Sequence, residues 1–174
     1  YLLKGINISY PNQVWGTDIT YIRMRKGFMY LVAIMDWYSR YILSWVLSNT
    51  LSVDFCLESL DMAFKIAKPE INNSDQGSQF TSEEYVEKVE AANIRVSMDG
   101  RGRVFDNIFT ERLWRSLKYE EVYLKDYASC IDAKASIDEY FTFYNNERLH
   151  SALGYSPPTE VYFNKDRIVS NIKV

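Results

Sequence analysis

Two stretches of the chain, INNSDQGSQF (residues 71–80) and DNIFTERLWRSLK (residues 106–118), decide how the rest of the sequence is interpreted. In the first, a short apolar run predicts a strand that stops at Asp75. The turn-forming Gly77 and Ser78 follow at once. Asp75 is therefore expected at the end of a strand, where its carboxylate is open to other parts of the chain.

The second stretch has the pattern of an amphipathic helix from Asp106, its predicted N-cap, to about Lys118. At about 100° per residue, Glu111, Arg115 and Lys118 share one face of this helix. The opposite face is apolar and consists of Phe109, Leu113 and Leu117. The helix thus presents one acidic and two basic side chains on its polar side.

Three further strands are predicted upstream of these stretches. The segment VWGTDITYI (14–22) alternates in polarity and carries Asp18 in its middle, where an acidic residue is unfavourable unless the carboxylate has a role. The run FMYLVAIMD (28–36) is continuously apolar, as in a central strand covered on both faces. With YILSWVL (41–47), these segments predict an antiparallel meander.

The rest of the chain alternates helices and strands. A helix is expected after Ser52 or Asp54 as a cap, ending at Pro69. Further predicted elements are helices at 82–92 and 129–146, a strand at 94–97, and a short helix that begins at Pro157 and is capped by Ser156. For the helix at 129–146, the expected packing residues are Ile131, Ala135, Tyr140, Phe141 and Tyr144. This order predicts an α/β fold, a five-stranded mixed sheet with helices on both faces.

Composition limits the possible classes. The 174 residues are 47% hydrophobic and 25% charged, which suits one compact domain with a sizeable core. We expect a lead or linker at 1–11, a core domain at 12–163 and a tail at 164–174. The net charge of −3 argues against strong nonspecific polyanion binding. Because the chain begins with Tyr1 rather than Met, it is expected to be part of a longer protein.

Cysteine usage and hydropathy indicate the compartment. Cys56 and Cys130 are far apart and form no metal-binding or disulfide pattern, so both are expected to be reduced packing residues. The sequence has neither a signal peptide nor an apolar run of membrane-spanning length. A cytoplasmic protein is the expectation.

Three carboxylates stand out as a possible metal site: Asp18, Asp75 and Glu111. If the first and fourth strands are neighbours, the two aspartates can reach the same point, and a helix that crosses the sheet edge can add Glu111. Oxygen ligands without His or Cys favour Mg²⁺ or Mn²⁺ over Zn²⁺. Two such ions, about 3.5–4 Å apart, can serve an in-line attack on phosphorus.

The segments NQVWGTDITYI, NSDQGSQFTS and DNIFTERLWRSLK resemble the integrase catalytic core of bacterial insertion-sequence transposases, which is related to retroviral integrases. Thirty-five residues separate Asp75 from Glu111, which is the gap characteristic of that family. The similarity continues through YNNERLHSALGYSPPTEVY and covers about residues 12–163. The resemblance implies an RNase H-like fold, two Mg²⁺ (or Mn²⁺) ions with DNA bound, and cleavage of DNA followed by transfer of a 3′-hydroxyl to a target strand.

The resemblance also implies roles for single residues. Asp18, Asp75 and Glu111 would be the catalytic metal ligands. The implied DNA contacts are Lys118, Arg115, Asn107, Ser78 and Gln79. A solvated helix face paired with Glu111 is the alternative for the two basic residues, and turn or cap chemistry is the alternative for the other three.

Several other residues have no assigned role in this reading. His150 is the only histidine, and its role is left open, with a helix-terminus position as the plainer explanation. Asp36, Asp54, Asp99 and Asp106 are read as strand-end, cap or turn residues.

Three functions remain to be distinguished: a DNA strand transferase, a hydrolytic nuclease of the same fold, and an inert nucleic-acid-binding or assembly module. For the first, the expected partners are element ends and target DNA, and the active complex is expected to be a homo-oligomer. No helix-turn-helix signature is visible, so an upstream DNA-binding region outside this chain is expected.

Overall fold

The computed structural model describes residues 2–100 and 108–164, and only the backbone of residues 172 and 173. The strands are β1 (Asn7–Ile8), β2 (Val14–Arg23), β3 (Phe28–Asp36), β4 (Ile42–Ser48), β5 (Ile71–Ser74), β6 (Arg95–Met98) and β7 (Ile172–Lys173). The helices are α1 (Asp54–Phe64), α2 (Glu83–Ala91), α3 (Ile108–Glu120), α4 (Cys130–Asn146) and α5 (Pro158–Phe163).

The main sheet has five strands in the order β4-β3-β2-β5-β6. Strands β2, β3 and β4 form the predicted antiparallel meander, whereas β5 runs parallel to β2 and β6 parallel to β5. The predicted mixed sheet is therefore confirmed, and the first and fourth predicted strands are neighbours.

Strand β3 shows why both faces of the sheet are covered. Its side chains alternate between two hydrophobic clusters: Leu31 and Ala33 face one cluster, and Val32 and Ile34 face the other. The first cluster contains buried residues of α3 and α4, and the second those of α1 and α2. A continuously apolar strand is what burial on both faces requires.

Helix α1 differs from its prediction at both ends. Its N-cap position is Val53, and no side-chain hydrogen bond caps it, so neither Ser52 nor Asp54 acts as the expected cap. The helix ends at Phe64, several residues before Pro69, and so the proline is not what stops it. Helix α2, in contrast, is capped by Ser82, whose hydroxyl accepts from the Tyr85 amide.

The packing stripe of α4 also differs from its prediction. Ile131 is 83% exposed, and Ala135 is exposed too, so the expectation that they pack was wrong. The buried stripe consists of Ala133, Ile137, Tyr140, Phe141 and Tyr144. The prediction was thus confirmed for Tyr140, Phe141 and Tyr144, while the first half of the helix packs through Ala133 and Ile137, two residues after the predicted positions.

The short C-terminal helix is shifted by one residue. Pro157 is the N-cap, and Pro158 occupies the first helical position, where its missing N–H costs nothing. The predicted Ser156 cap is absent, since no side chain caps α5. Ser156 instead accepts a backbone hydrogen bond from His150.

The N-terminal segment packs on the domain. Leu3 and Ile8 are fully buried in the cluster on the α3 and α4 side. Strand β1 pairs with β7 in a second, two-stranded sheet. The lead at 1–11 therefore contributes to the core, while the division of the chain at residues 11 and 163 stays a prediction.

Both cysteines are free, as expected, but only Cys56 is buried; Cys130 is exposed, so its assignment as a packing residue was wrong. Among the described residues, none of the helices is both long and apolar enough to span a bilayer.

Candidate active site

The pairing of β2 with β5 sets two aspartates side by side. The parallel register runs from Val14 opposite Ile71 to Thr17 opposite Ser74. Asp18 is the next residue of β2, and Asp75 directly follows the last residue of β5. Strands β5 and β6 end at this level, where α/β proteins commonly place their functional groups, whereas β2 continues to Arg23.

The Asp18 carboxylate is held from two sides. One oxygen, Oδ2, accepts a hydrogen bond of 2.9 Å from the Trp114 indole N–H, and Oδ1 accepts one of 2.8 Å from the Ile19 amide. The pKa of Asp18 is raised to about 7, chiefly by burial; the two hydrogen bonds oppose this shift, and the negative charges of Asp75 and Asp99 add to it. A bound cation would favour the ionised carboxylate and reverse the shift.

Gly16 brings α3 close to β2. A Cβ on Gly16 would lie 2.1 Å from Trp37 Nε1 and 3.0 Å from Thr110 Oγ1, so no side chain fits there. Thr110 is the residue before Glu111, and Gly16 is two residues before Asp18. The absence of a side chain on the strand therefore sets the position of Glu111 over the face that carries Asp18.

Glu111 is exposed and lies one turn before Trp114 on α3. The structure thus brings Asp18 and Asp75 together and ties the helix of Glu111 to Asp18. Within residues 2–100 and 108–164, no three His, Cys, Asp or Glu side chains are close enough to form a metal cage. Carboxylates in an open arrangement still suit Mg²⁺, which is usually bound by one or two of them together with substrate phosphates.

Asp75 begins a tight turn beside a cleft. Its Oδ1 accepts a 2.8 Å hydrogen bond from the Gly77 amide, and Asp75 itself is exposed. Ser78 is exposed in the same turn, whereas the Gln79 side chain donates to the Leu51 carbonyl oxygen. The turn is present, and DNA contacts by Ser78 and Gln79 stay predictions beside their structural roles.

Asp99 is a fourth carboxylate at this edge. It lines a cleft of about 260 Å³ with Asp75, Gln76 and Gly100, and it accepts a 2.8 Å hydrogen bond from the Asn73 side chain. The sequence analysis placed Asp99 in a turn and gave it no part in the site. The signal in the sequence was that Asp99 directly follows a strand, as Asp75 does.

Arg115 and Lys118 lie on α3 as predicted, exposed and partly exposed respectively. No ion pair joins either of them to Glu111 in the described part of the chain, which weighs against the alternative of a self-paired helix face. Arg115 lies near the Tyr119 ring, 5.9 Å from its centroid. Asn107 and the predicted cap Asp106 fall outside the described residues.

Solved structures show the class of this fold. An HTLV-2 integrase catalytic core in complex with magnesium matches with a TM-score of 0.70 and 20% identity, over 92% of this chain and all of that one. A simian T-cell lymphotropic virus intasome matches with a TM-score of 0.78 and 16% identity, over 92% of this chain and 58% of that chain. The fold is therefore RNase H-like, of the retroviral integrase type.

Sequence comparison identifies the family. Two models of the integrase core domain match residues 9–103 and 92–158. The transposase for insertion sequence element IS629 of Shigella sonnei is 30% identical over 86% of this chain and 51% of its own length. Transposase InsF for IS3A of Escherichia coli K12 is 33% identical over 90% of this chain and 55% of its own length. The chain belongs to the integrase core domain family and spans about half the length of these relatives.

Proposed function

We propose that this chain is the catalytic core of a DNA transposase, which cleaves DNA to free a 3′-hydroxyl and joins that hydroxyl to a target strand. The observation that carries the proposal is the β2–β5 register, which sets Asp18 and Asp75 side by side beneath the helix of Glu111. Insertion-sequence transposases are the relatives, which favours joining over plain hydrolysis.

In this proposal Asp18, Asp75 and Glu111 hold divalent ions, Mg²⁺ or Mn²⁺, and two ions are present once DNA is bound. Such ions supply charge neutralisation at phosphorus and activate the attacking hydroxyl. The protein holds the carboxylate ligands in position. The Trp114 indole N–H fixes the rotamer of Asp18, and the Gly77 amide fixes that of Asp75.

The proposed partners are DNA and further copies of this protein. The HTLV-2 core that matches this chain is described in dimeric and trimeric forms, and the simian viral match is an intasome. Lys118 and Ser78 remain proposed DNA contacts, and a DNA-binding region upstream of the core is proposed in the whole protein.

The test uses a fluorescent duplex with a free 3′-hydroxyl end, a target plasmid, and Mg²⁺ or Mn²⁺. We expect joined product from the wild-type chain, none in EDTA, and a loss of at least about a hundredfold for Asp75→Asn, because the neutral amide is a poor cation ligand. Asp138→Asn, which removes an exposed carboxylate on α4, is the matched control and should react like the wild type.

The other candidate functions give different outcomes in the same assay. Cut but never joined DNA would indicate a nuclease. Absence of any product, together with no Mn²⁺ binding by calorimetry, would indicate a binding or assembly module.

A further inference from the structure

A strongly basic pocket lies beside the apolar stripe of α3, on the flank of the helix that carries Arg112 and Ser116. It has a volume of about 430 Å³ and is formed by the turn after β3, by α3 and by the segment that follows α4. Its charged and polar lining side chains include Arg40, Arg112, Arg115, Arg148 and His150. Four arginines in one pocket are unexpected in a chain whose net charge is −3.

The charge of this pocket is only partly neutralised by the protein. Glu120 forms a bidentate ion pair with Arg148, with N–O distances of 2.8 and 2.6 Å. Arg112 and Arg115 have no ion pair among the described residues. The pocket therefore keeps an excess of positive charge, which favours an anionic ligand.

Arg40 forms the floor of the pocket. It is only 8% exposed, its guanidinium lies 3.5 Å from the centroid of the Phe109 ring, and one nitrogen donates to the Trp37 carbonyl oxygen. Asp36, the closest acidic group to it in sequence, is occupied by hydrogen bonds from Asn12 and Ser39. A buried guanidinium is costly unless its donors are used, and a ligand phosphate would use them.

His150 supplies a polar atom with no partner. Its Nε2 is buried and has no hydrogen-bond partner among the residues that the structure describes, while the ring packs edge-on against Tyr144 at 4.9 Å between centroids. Burial beside Arg148 and Arg40 lowers the pKa of His150 to about 4, so the imidazole is neutral at pH 7. In the Nε2–H tautomer it can donate to an anionic oxygen without adding charge.

We infer that this pocket binds a backbone phosphate of the DNA strand, close to the phosphate that reacts but distinct from it. This inference rests on the proposed function. Arg115 lines the pocket and lies one turn from Glu111 on α3, about 6 Å along the helix axis. A strand that crosses α3 between Glu111 and the pocket would place a neighbouring phosphate beside Arg112, Arg115 and His150, with the charge of Arg40 beneath it.

Binding is measured by fluorescence anisotropy of a labelled duplex in EDTA, at several salt concentrations, so that chemistry is excluded. We expect Arg112→Gln to weaken binding by roughly tenfold and to reduce the slope of log K against log salt by about one. Arg112 is exposed, so this variant should fold. Arg112→Lys should restore the slope but only part of the affinity, because lysine lacks the fork of donors.

Lys134→Gln, which removes one exposed positive charge from α4, is the control for general electrostatics and should leave both the affinity and the slope nearly unchanged. Equal losses for Arg112→Gln and Lys134→Gln would overturn the inference. So would an Arg112→Gln variant that binds like the wild type.

A second readout is the imidazole signal of His150, the only histidine, in ¹⁵N-labelled protein. Duplex at micromolar concentration should shift it, whereas inorganic phosphate alone should do so only at tens of millimolar, because a single anion lacks the neighbouring contacts. A shift by dilute phosphate but not by duplex would assign the pocket to a free anion and overturn the inference.

These experiments separate the two proposals. If joining fails but duplex binding depends on Arg112, the proposed chemistry is wrong and the pocket stands. If joining is observed and binding is indifferent to Arg112, only the pocket assignment fails.

Discussion

At the scale of single residues, two aspartates with raised pKa values have different environments. Asp36, at the end of β3, is fully buried and accepts hydrogen bonds from the Asn12 amide and from the amide and hydroxyl of Ser39. Burial raises its pKa to about 6. Its partners lie in the turn before β4 and just before β2, so Asp36 ties this turn to the start of β2. Asp18 instead accepts one hydrogen bond on each oxygen and lies near the charge of Asp75, which suits a cation ligand.

Trp114 is the residue whose contribution to the site is easiest to isolate. Trp114→Phe removes the donor to Asp18 Oδ2 and keeps an aromatic ring in the core. We expect the joining rate and the Mn²⁺ affinity to fall by about tenfold, because a ligand that is free to rotate binds metal less well. Single-turnover assays and calorimetry measure the two effects.

Trp45→Phe is the control for Trp114→Phe, since Trp45 packs on Phe141 and donates to no carboxylate in the described part of the chain. Its activity should match that of the wild type. If Trp114→Phe is as active as this control, the hydrogen bond to Asp18 has no positioning role.

At the scale of elements, the approach of α3 to β2 depends on Gly16. Gly16→Ala would place a methyl group on Trp37 Nε1, and we expect a loss of about 2 kcal/mol in the free energy of unfolding, which urea titration measures. The joining activity should fall as well, because Thr110 and Glu111 would shift together.

A double-mutant cycle identifies the cause of that loss. Trp37→Phe removes the atom that the new methyl group meets, so the Gly16→Ala, Trp37→Phe double variant should lose less than the sum of the two single variants. Additive losses would mean that the close packing of helix and strand is not the reason for glycine at this position.

At the scale of the whole molecule, charge is separated rather than balanced. Asp18, Asp75 and Asp99 gather at one edge of the sheet, whereas the arginines of the basic pocket gather on the other side of α3. The net charge of −3 is therefore a poor guide to nucleic-acid binding. The sequence-based argument from net charge assumed mixed surfaces, and the fold segregates the two signs.

The stability of the whole molecule should depend on pH through His150. Burial, Arg148 and Arg40 lower its folded-state pKa to about 4, while Glu120 opposes the shift. An unfolded chain binds a proton at this residue near pH 6.5. Between about pH 6.5 and 4 the unfolded state thus holds more protons, so the stability due to neutral His150 is present above this window and is lost as pH falls through it.

His150→Gln should remove this contribution. We expect the wild type to lose more stability than the variant between pH 7 and pH 5, as measured by urea unfolding at each pH. Asp18 and Asp36 titrate in both proteins, so their contributions cancel when the stability of the variant is subtracted from that of the wild type. Parallel curves for the two proteins would show that His150 is as easily protonated folded as unfolded.

The sequence by itself determined the elements and the two key aspartates. Alternating polarity and continuous apolar runs predicted the strands of the meander, and Asp75 was correctly placed at a strand end, because these features depend on neighbours in the chain. The cap of α1 was predicted wrongly, and so were Ile131 and Ala135 as packing residues of α4, because the face that a helix buries depends on how it packs against the sheet.

Only the tertiary structure decided what surrounds those residues. The hydrogen bond from Trp114 to Asp18 joins positions 96 residues apart, and the place of Asp99 beside Asp75 depends on the pairing of β5 with β6. The basic pocket collects arginines from three separate segments. Local sequence patterns cannot predict these contacts, because they depend on which strands pair and on how the helices pack against the two faces of the sheet.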